Sequence, residues 1–62
     1  MKYFKIMRNH TITIHFRFGN FEKDFEDINV LAENDEQALQ LAKKHRRWVF
    51  KAEIISRDEA DN

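Results

Sequence analysis

Hydrophobic and polar residues alternate without a break from Thr11 to Phe18. Ile12, Ile14, Phe16 and Phe18 fall on one side, and Thr11, Thr13, His15 and Arg17 on the other. A period of two built from β-branched and aromatic residues predicts a half-buried strand. Phe4 and Ile6 share the parity of the apolar side, which extends the signal to residues 2–8. Arg8-Asn9-His10 is then either a turn or bulge between two strands, or part of one long bent strand; the pattern leaves both open. Gly19-Asn20, between Phe18 and Phe21, suits a two-residue type II′ turn, so 11–18 and 21–30 read as a hairpin. That register sets Phe18 against Phe21, Phe16 against Lys23 and Ile14 against Phe25. On the other face it pairs Arg17 with Glu22, His15 with Asp24 and Thr13 with Glu26. Phe21 and Phe25 are odd-numbered while Ile28 and Val30 are even, so the register calls for a bulge near Glu26-Asp27.

The period then changes. Asn34 followed by Gln37 resembles a capping box, with Asp35 and Glu36 in the first turn, where the helix dipole favours acids. Lys43, Lys44, Arg46 and Arg47 sit where the dipole favours bases, so a helix is predicted over 35–46. Ala38, Leu41, Ala42 and His45 form its apolar stripe, with Leu39 on the edge. His45 is then a partly buried, hydrogen-bonded residue. Alternation returns over 48–57, with Trp48, Phe50, Ala52 and Ile54 on one face of a last strand. The expected fold class is α+β: an antiparallel three- to four-stranded sheet with one helix packed on one face, in β-β-β-α-β order. Residues 1–57 form one domain, and 58–62 a frayed acidic tail.

Composition narrows the class. Sixty-two residues make one small domain with a thin core. There is no Cys to form a disulfide or bind a metal as thiolate, no Pro, and one Gly. Charged residues are 35% and apolar residues 42%, too apolar and too balanced for a disordered chain. No apolar run reaches the roughly 20 residues of a membrane span, and the start has no signal-peptide pattern. The expectation is a soluble, intracellular single domain. Net charge is zero, but its distribution is uneven. Residues 1–20 carry four bases and no acid; 21–36 carry seven acids and one base; 37–57 carry six bases and one acid. Opposite charges on neighbouring strands can pair across the sheet. Alternatively they form a bipolar surface that docks on a charged partner.

Catalytic chemistry lacks its parts. Ser56 is the only serine and lies near the chain end, Gly19 stands alone, and Glu22, Asp24 and Glu26 face solvent. A chain of this size has little room for a pocket of about 300 Å³. No catalytic residues, cofactor or metal are expected: His10 and His15 have opposite strand parity, and His45 has no ligand partner at helical spacing. His15 reads as a solvated partner of Asp24. The run Lys43-Lys44-His45-Arg46-Arg47-Trp48 can hold phosphates and stack a base. The stronger reading is that bases favour helix C-termini and that Trp48 fits the apolar face of the last strand.

The segment Phe25-Glu26-Asp27-Ile28-Asn29-Val30-Leu31-Ala32-Glu33-Asn34-Asp35-Glu36-Gln37-Ala38-Leu39-Gln40-Leu41-Ala42 ends a strand in Ala-Glu, caps a turn and starts a helix with Ala-Leu and Leu-Ala. Over residues 25–57 the chain resembles the small phage host-takeover proteins, in particular the early inhibitors of bacterial RNA polymerase made by short-tailed coliphages. In that family, arginines on the final strand and acids on the sheet contact the polymerase. Here Arg57, with Lys51 upstream, occupies the final strand, and the clustered arginines are missing.

The resemblance implies a non-enzymatic protein of the bacterial host cytoplasm that binds and inhibits or modulates a bacterial machine, most specifically RNA polymerase. The candidate partner-binding residues are His15, Arg17, Glu22, Asp24, Glu26 and Arg57. The alternative is a nucleic-acid-binding module using Lys43, Lys44, Arg46, Arg47 and Trp48. The oligomeric expectation is a monomer or a weak homodimer through an unpaired sheet edge.

Overall fold

A computed structural model describes residues 6–58. Strand β1 runs Arg8–Phe18, β2 Glu22–Ala32, helix α1 Asp35–Lys43 and β3 Val49–Arg57. The three strands form one antiparallel sheet in the order β2-β1-β3, with α1 on one face. This is the expected α+β architecture. Residues 8–18 make a single strand; residues 2–5 and the tail from 59 onward lie outside the described residues.

β1 sits in the centre because it carries the cleanest alternation. Ile12 and Ile14 are fully buried, Phe16 nearly so, and the intervening residues face away from α1. The hairpin departs from the expected register by one residue. Phe18 pairs with Glu22, Phe16 with Asp24, Ile14 with Glu26 and Ile12 with Ile28, and the ladder continues unshifted to Arg8 and Ala32. The connection is therefore three residues long, with left-handed backbone at Gly19 (φ 54°) and Phe21 (φ 66°). A one-residue slip exchanges the faces of the whole strand. It sends Ile28, Val30 and Ala32 to the helix with no bulge at Glu26-Asp27, and it turns Phe25 outward. An intact ladder and three apolar residues on the core outweigh the burial of one or two phenylalanines near the hairpin tip.

β3 carries the irregularities instead. Its register on β1 shifts between Thr11 and Ile12 and between His15 and Phe16. Phe50 and Ile55 are the extra residues, so Val49, Ala52 and Ile54 face the core while Phe50 turns outward. Trp48 precedes the strand with φ 62° and is 61% exposed, in place of its expected seat on the apolar face.

The Asn34 side chain accepts from the Gln37 amide (2.8 Å), and Gln37 Oε1 accepts from the Glu33 amide (2.8 Å), so the helix starts where the capping signal puts it. It ends three residues earlier than expected, at Lys43. The Lys44 and His45 amides close the last turn on the Leu41 and Ala42 carbonyls (3.1 and 3.0 Å). Ala38 and Ala42 are fully buried, which lets the helix lie close on the sheet. Leu39 is half-buried, whereas Leu41 is exposed. His45 lies past the helix and is exposed, so its expected burial on the stripe does not occur.

Candidate binding surfaces

The helix-side face ends, towards the hairpin tip, in an acidic row. Glu22, Asp24 and Glu26 stand opposite Phe18, Phe16 and Ile14 on β2, which is an edge strand. Arg46 covers this end. Its guanidinium lies 4.3 Å from the Phe16 ring centroid and pairs with Glu26. The Arg46 hydrogen bond holds the Glu26 carboxyl below its ordinary pKa, and Glu26 in turn raises that of Arg46. The Asp24 carboxylate accepts from the Phe25 amide (2.7 Å).

At the other end of the same face, His10 is 1% exposed. Its Nδ1 donates to the Arg8 carbonyl (2.9 Å), since a carbonyl can only accept, and its Nε2 lies 3.4 Å from Asp35. Arg57 donates from two of its nitrogens to the two Asp35 oxygens, with Nε at 2.7 Å. That fork depresses the Asp35 pKa and raises that of Arg57. His10 shares the even parity of Ile12 and Ile14, the signal that could have marked it as buried. A groove of about 520 Å³ lined by Arg8, His10, Asp35 and Arg57 opens here, larger than a chain of this size was expected to hold.

Among the described residues the opposite face of the sheet carries no helix, and its two halves differ. Towards the Leu31 end, Asn9 and Thr11 donate to Asn29, and Thr13 donates to Asp27 (2.6 Å), so the side chains satisfy one another. Towards the hairpin, three rings form a row across the three strands. His15 lies 5.9 Å from Phe25 and 6.1 Å from Phe50, centroid to centroid. Phe25 is 64% exposed and Phe50 50%. Arg17 and Lys23 sit 5.4 and 5.8 Å from the Phe50 centroid. Lys51 pairs with Glu53 (2.8 Å), which lowers the Glu53 pKa, and His15 is 3.8 Å from the same carboxylate.

The expected contact set is thus divided among three places. His15 and Arg17 lie on the open face, Glu22, Asp24 and Glu26 on the helix-side edge, and Arg57 at the far end. The expected pairs Arg17–Glu22 and His15–Asp24 do not form, because the one-residue slip puts their members on opposite faces; Arg17 faces Lys23, and His15 faces Phe25. The basic run is split as well. Lys43 and Lys44 are exposed, Arg46 is engaged with Glu26 and Phe16, and Arg47 lies 5.7 Å from the Trp48 ring. Arg46, Arg47 and Trp48 join Phe16, Arg17 and Phe18 around a groove of about 340 Å³.

Reading the residues by parity alone missed Lys23, Phe25 and Phe50 as members of one surface. The signal for Phe25 was its odd number against the even Ile28 and Val30. Among the described residues, no group of three or more His, Cys, Asp and Glu is placed to hold a metal. No helix among them is long and apolar enough to cross a membrane. The geometry defines a small α+β protein, one helix on a three-stranded antiparallel sheet, with one sheet face open. Comparison with family models, curated proteins and solved structures returned no match.

Proposed function

We propose that this is a non-enzymatic binding protein that docks on a bacterial macromolecular machine and inhibits or modulates it, with RNA polymerase as the specific target. The carrying observation is the β2 edge. It is an eleven-residue strand with an unshifted register on β1, no strand on its other side among the described residues, and Glu22 and Asp24 exposed beside it. An open edge of this kind can take a strand from a partner, and its acidic flank favours a basic docking rim. The phage-type setting, and with it the host cytoplasm as location, rests on the sequence resemblance.

The test is retention of purified bacterial RNA polymerase on the immobilised protein, alongside promoter-directed transcription with the protein added. Stoichiometric retention and reduced transcript, both lost in the double reversal Glu22→Lys/Asp24→Lys, is the expected result. Retention indifferent to the reversal removes the acidic edge as the contact, and absence of retention removes the polymerase as the target.

A second reading, a nucleic-acid-binding module at the basic run, is supported by the groove that Arg47 and Trp48 line with Phe18. It predicts oligonucleotide affinity that falls in a Lys43→Glu/Lys44→Glu variant and with added salt.

A further inference from the structure

We infer that the open face of the sheet, at its hairpin end, binds single-stranded nucleic acid, with unpaired bases stacking on Phe25 and Phe50 and phosphates held by Arg17 and Lys23. This surface lies on the opposite sheet face from the Glu22, Asp24 and Glu26 row, and it shares only Arg17 with the groove beside the basic run. Among the described residues nothing covers it: α1 packs on the other face, and Phe25 and Phe50 remain half or more exposed.

Exposed rings alone would fit many partners. What selects a nucleic acid is the company they keep. Phe25, His15 and Phe50 lie in one row across three adjacent strands, which are spaced about 4.8 Å apart. Arg17 and Lys23 stand beside the row on β1 and β2, directly opposite each other. Like charges at such a position repel, and neither joins an ion pair among the described residues. An anion between them removes that repulsion.

A partner that is both polyanionic and rich in flat rings meets the rings and the cations at once. Stacking on aromatic side chains requires a base whose face is free, which a duplex does not present along its length. The acid nearest the row, Glu53, is paired with Lys51, and Asp27 lies further along β2, where its carboxylate accepts from Thr13. The arrangement limits strength as well as type. Two phosphate contacts on a single strand give a salt dependence with a slope of about −1.4, and affinity in the range of about 10⁻⁴ to 10⁻⁶ M at moderate salt.

The experiment is fluorescence anisotropy of labelled oligothymidylate and oligouridylate of about ten nucleotides, titrated with the full chain between about 50 and 200 mM salt. Three variants are compared: Phe25→Ala/Phe50→Ala, Phe25→Leu, and Lys43→Glu/Lys44→Glu. Circular dichroism checks that each is folded, which the exposure of all four positions favours. The expected result is saturable binding that the double alanine variant weakens about tenfold or more, that Phe25→Leu also weakens because it keeps bulk and loses the ring, and that a duplex of the same length does not match. Binding that falls only in the lysine variant overturns the inference and transfers the activity to the basic run. No binding at about 10⁻⁴ M and the lowest salt overturns it outright. So does a loss of polymerase retention in Phe25→Ala/Phe50→Ala without any oligonucleotide binding, since the face would then be a protein contact. Because polymerase retention is read separately with the Glu22/Asp24 reversal, the inference and the inhibitor reading can fail independently.

Discussion

The two faces of this sheet carry residues of similar apolarity to opposite ends. On the helix side, Ile12 and Ile14 are fully buried under Ala38 and Ala42, and small helix residues bring the backbone close. On the open side, Phe25 and Phe50 are larger, yet remain half or more exposed around His15. With one helix for one sheet, only one face can be dry. The difference between the faces shows that burial here follows what the helix can reach, not how hydrophobic a residue is. Large rings that none of the described residues covers stay available for another molecule.

The largest effect that tests this comparison comes from the same kind of truncation made on each face. Ile14→Ala removes a fully buried side chain from the central strand and should cost about 2–5 kcal/mol, enough to unfold much of a domain this small. Phe25→Ala removes a larger side chain from the open face and should cost under about 1 kcal/mol. Urea denaturation followed by circular dichroism measures both. Equal losses would mean that the open face is part of the core in solution, and the contrast drawn here would fail.

The sequence carries the covered face more plainly than the open one, for a physical reason. The period-two run of β1, the Asn34 cap and the Ala38/Ala42 stripe are local signals, and each stands where the pattern put it. The hairpin register is a choice between two non-local arrangements. Gly19-Asn20 suited a two-residue turn and a Phe25 facing the core; Ile28, Val30 and Ala32 required the other parity. The competition was visible as the change from odd to even numbering, and a bulge was the wrong resolution. The three-residue connection resolves it at the cost of left-handed backbone at Phe21. On β3, two bulges decide which way Phe50 points, and alternation along a strand has no means of announcing them. The candidate surface was illegible for the same reason: Lys23, Phe25 and Phe50 meet His15 and Arg17 only once both registers are set.

A smaller effect probes the turn that sets the first register. Phe21 holds φ at 66° with its side chain 78% exposed, so the ring contributes little packing in return for a conformation that costs an L-residue about 1–2 kcal/mol. Glycine takes that conformation freely but loses more entropy on folding. Phe21→Gly should therefore stabilise the domain by about 0.5–1 kcal/mol, read as a higher urea midpoint. If it destabilises instead, the three-residue connection is held by the ring rather than tolerated despite it, and the register would owe less to Ile28, Val30 and Ala32.

The smallest effect belongs to the ion pairs that close the two ends of the covered face. Arg57 holds the Asp35 carboxyl below its ordinary pKa, chiefly through the hydrogen-bonded fork, with His10 adding to the effect. A carboxylate whose folded pKa is depressed binds its proton more readily in the unfolded chain. Its contribution is therefore present above the unfolded pKa of about 4 and is lost as pH falls through the lower folded value. The pair is solvent-exposed, so salt screens it and the contribution is modest. The melting temperature of Asp35→Asn should fall below that of the unaltered protein at neutral pH, and the gap should close as pH falls through the depressed folded pKa. The same protocol on Glu26→Gln tests the Arg46 pair at the hairpin end, where the Glu26 pKa is depressed for the same reason. A gap that persists in acid at either end would show that the side chain matters there for its shape, with the charge incidental. At the hairpin end, that result would leave Arg46 as a cover for Phe16 in its own right, stacked on the ring where the helix stops.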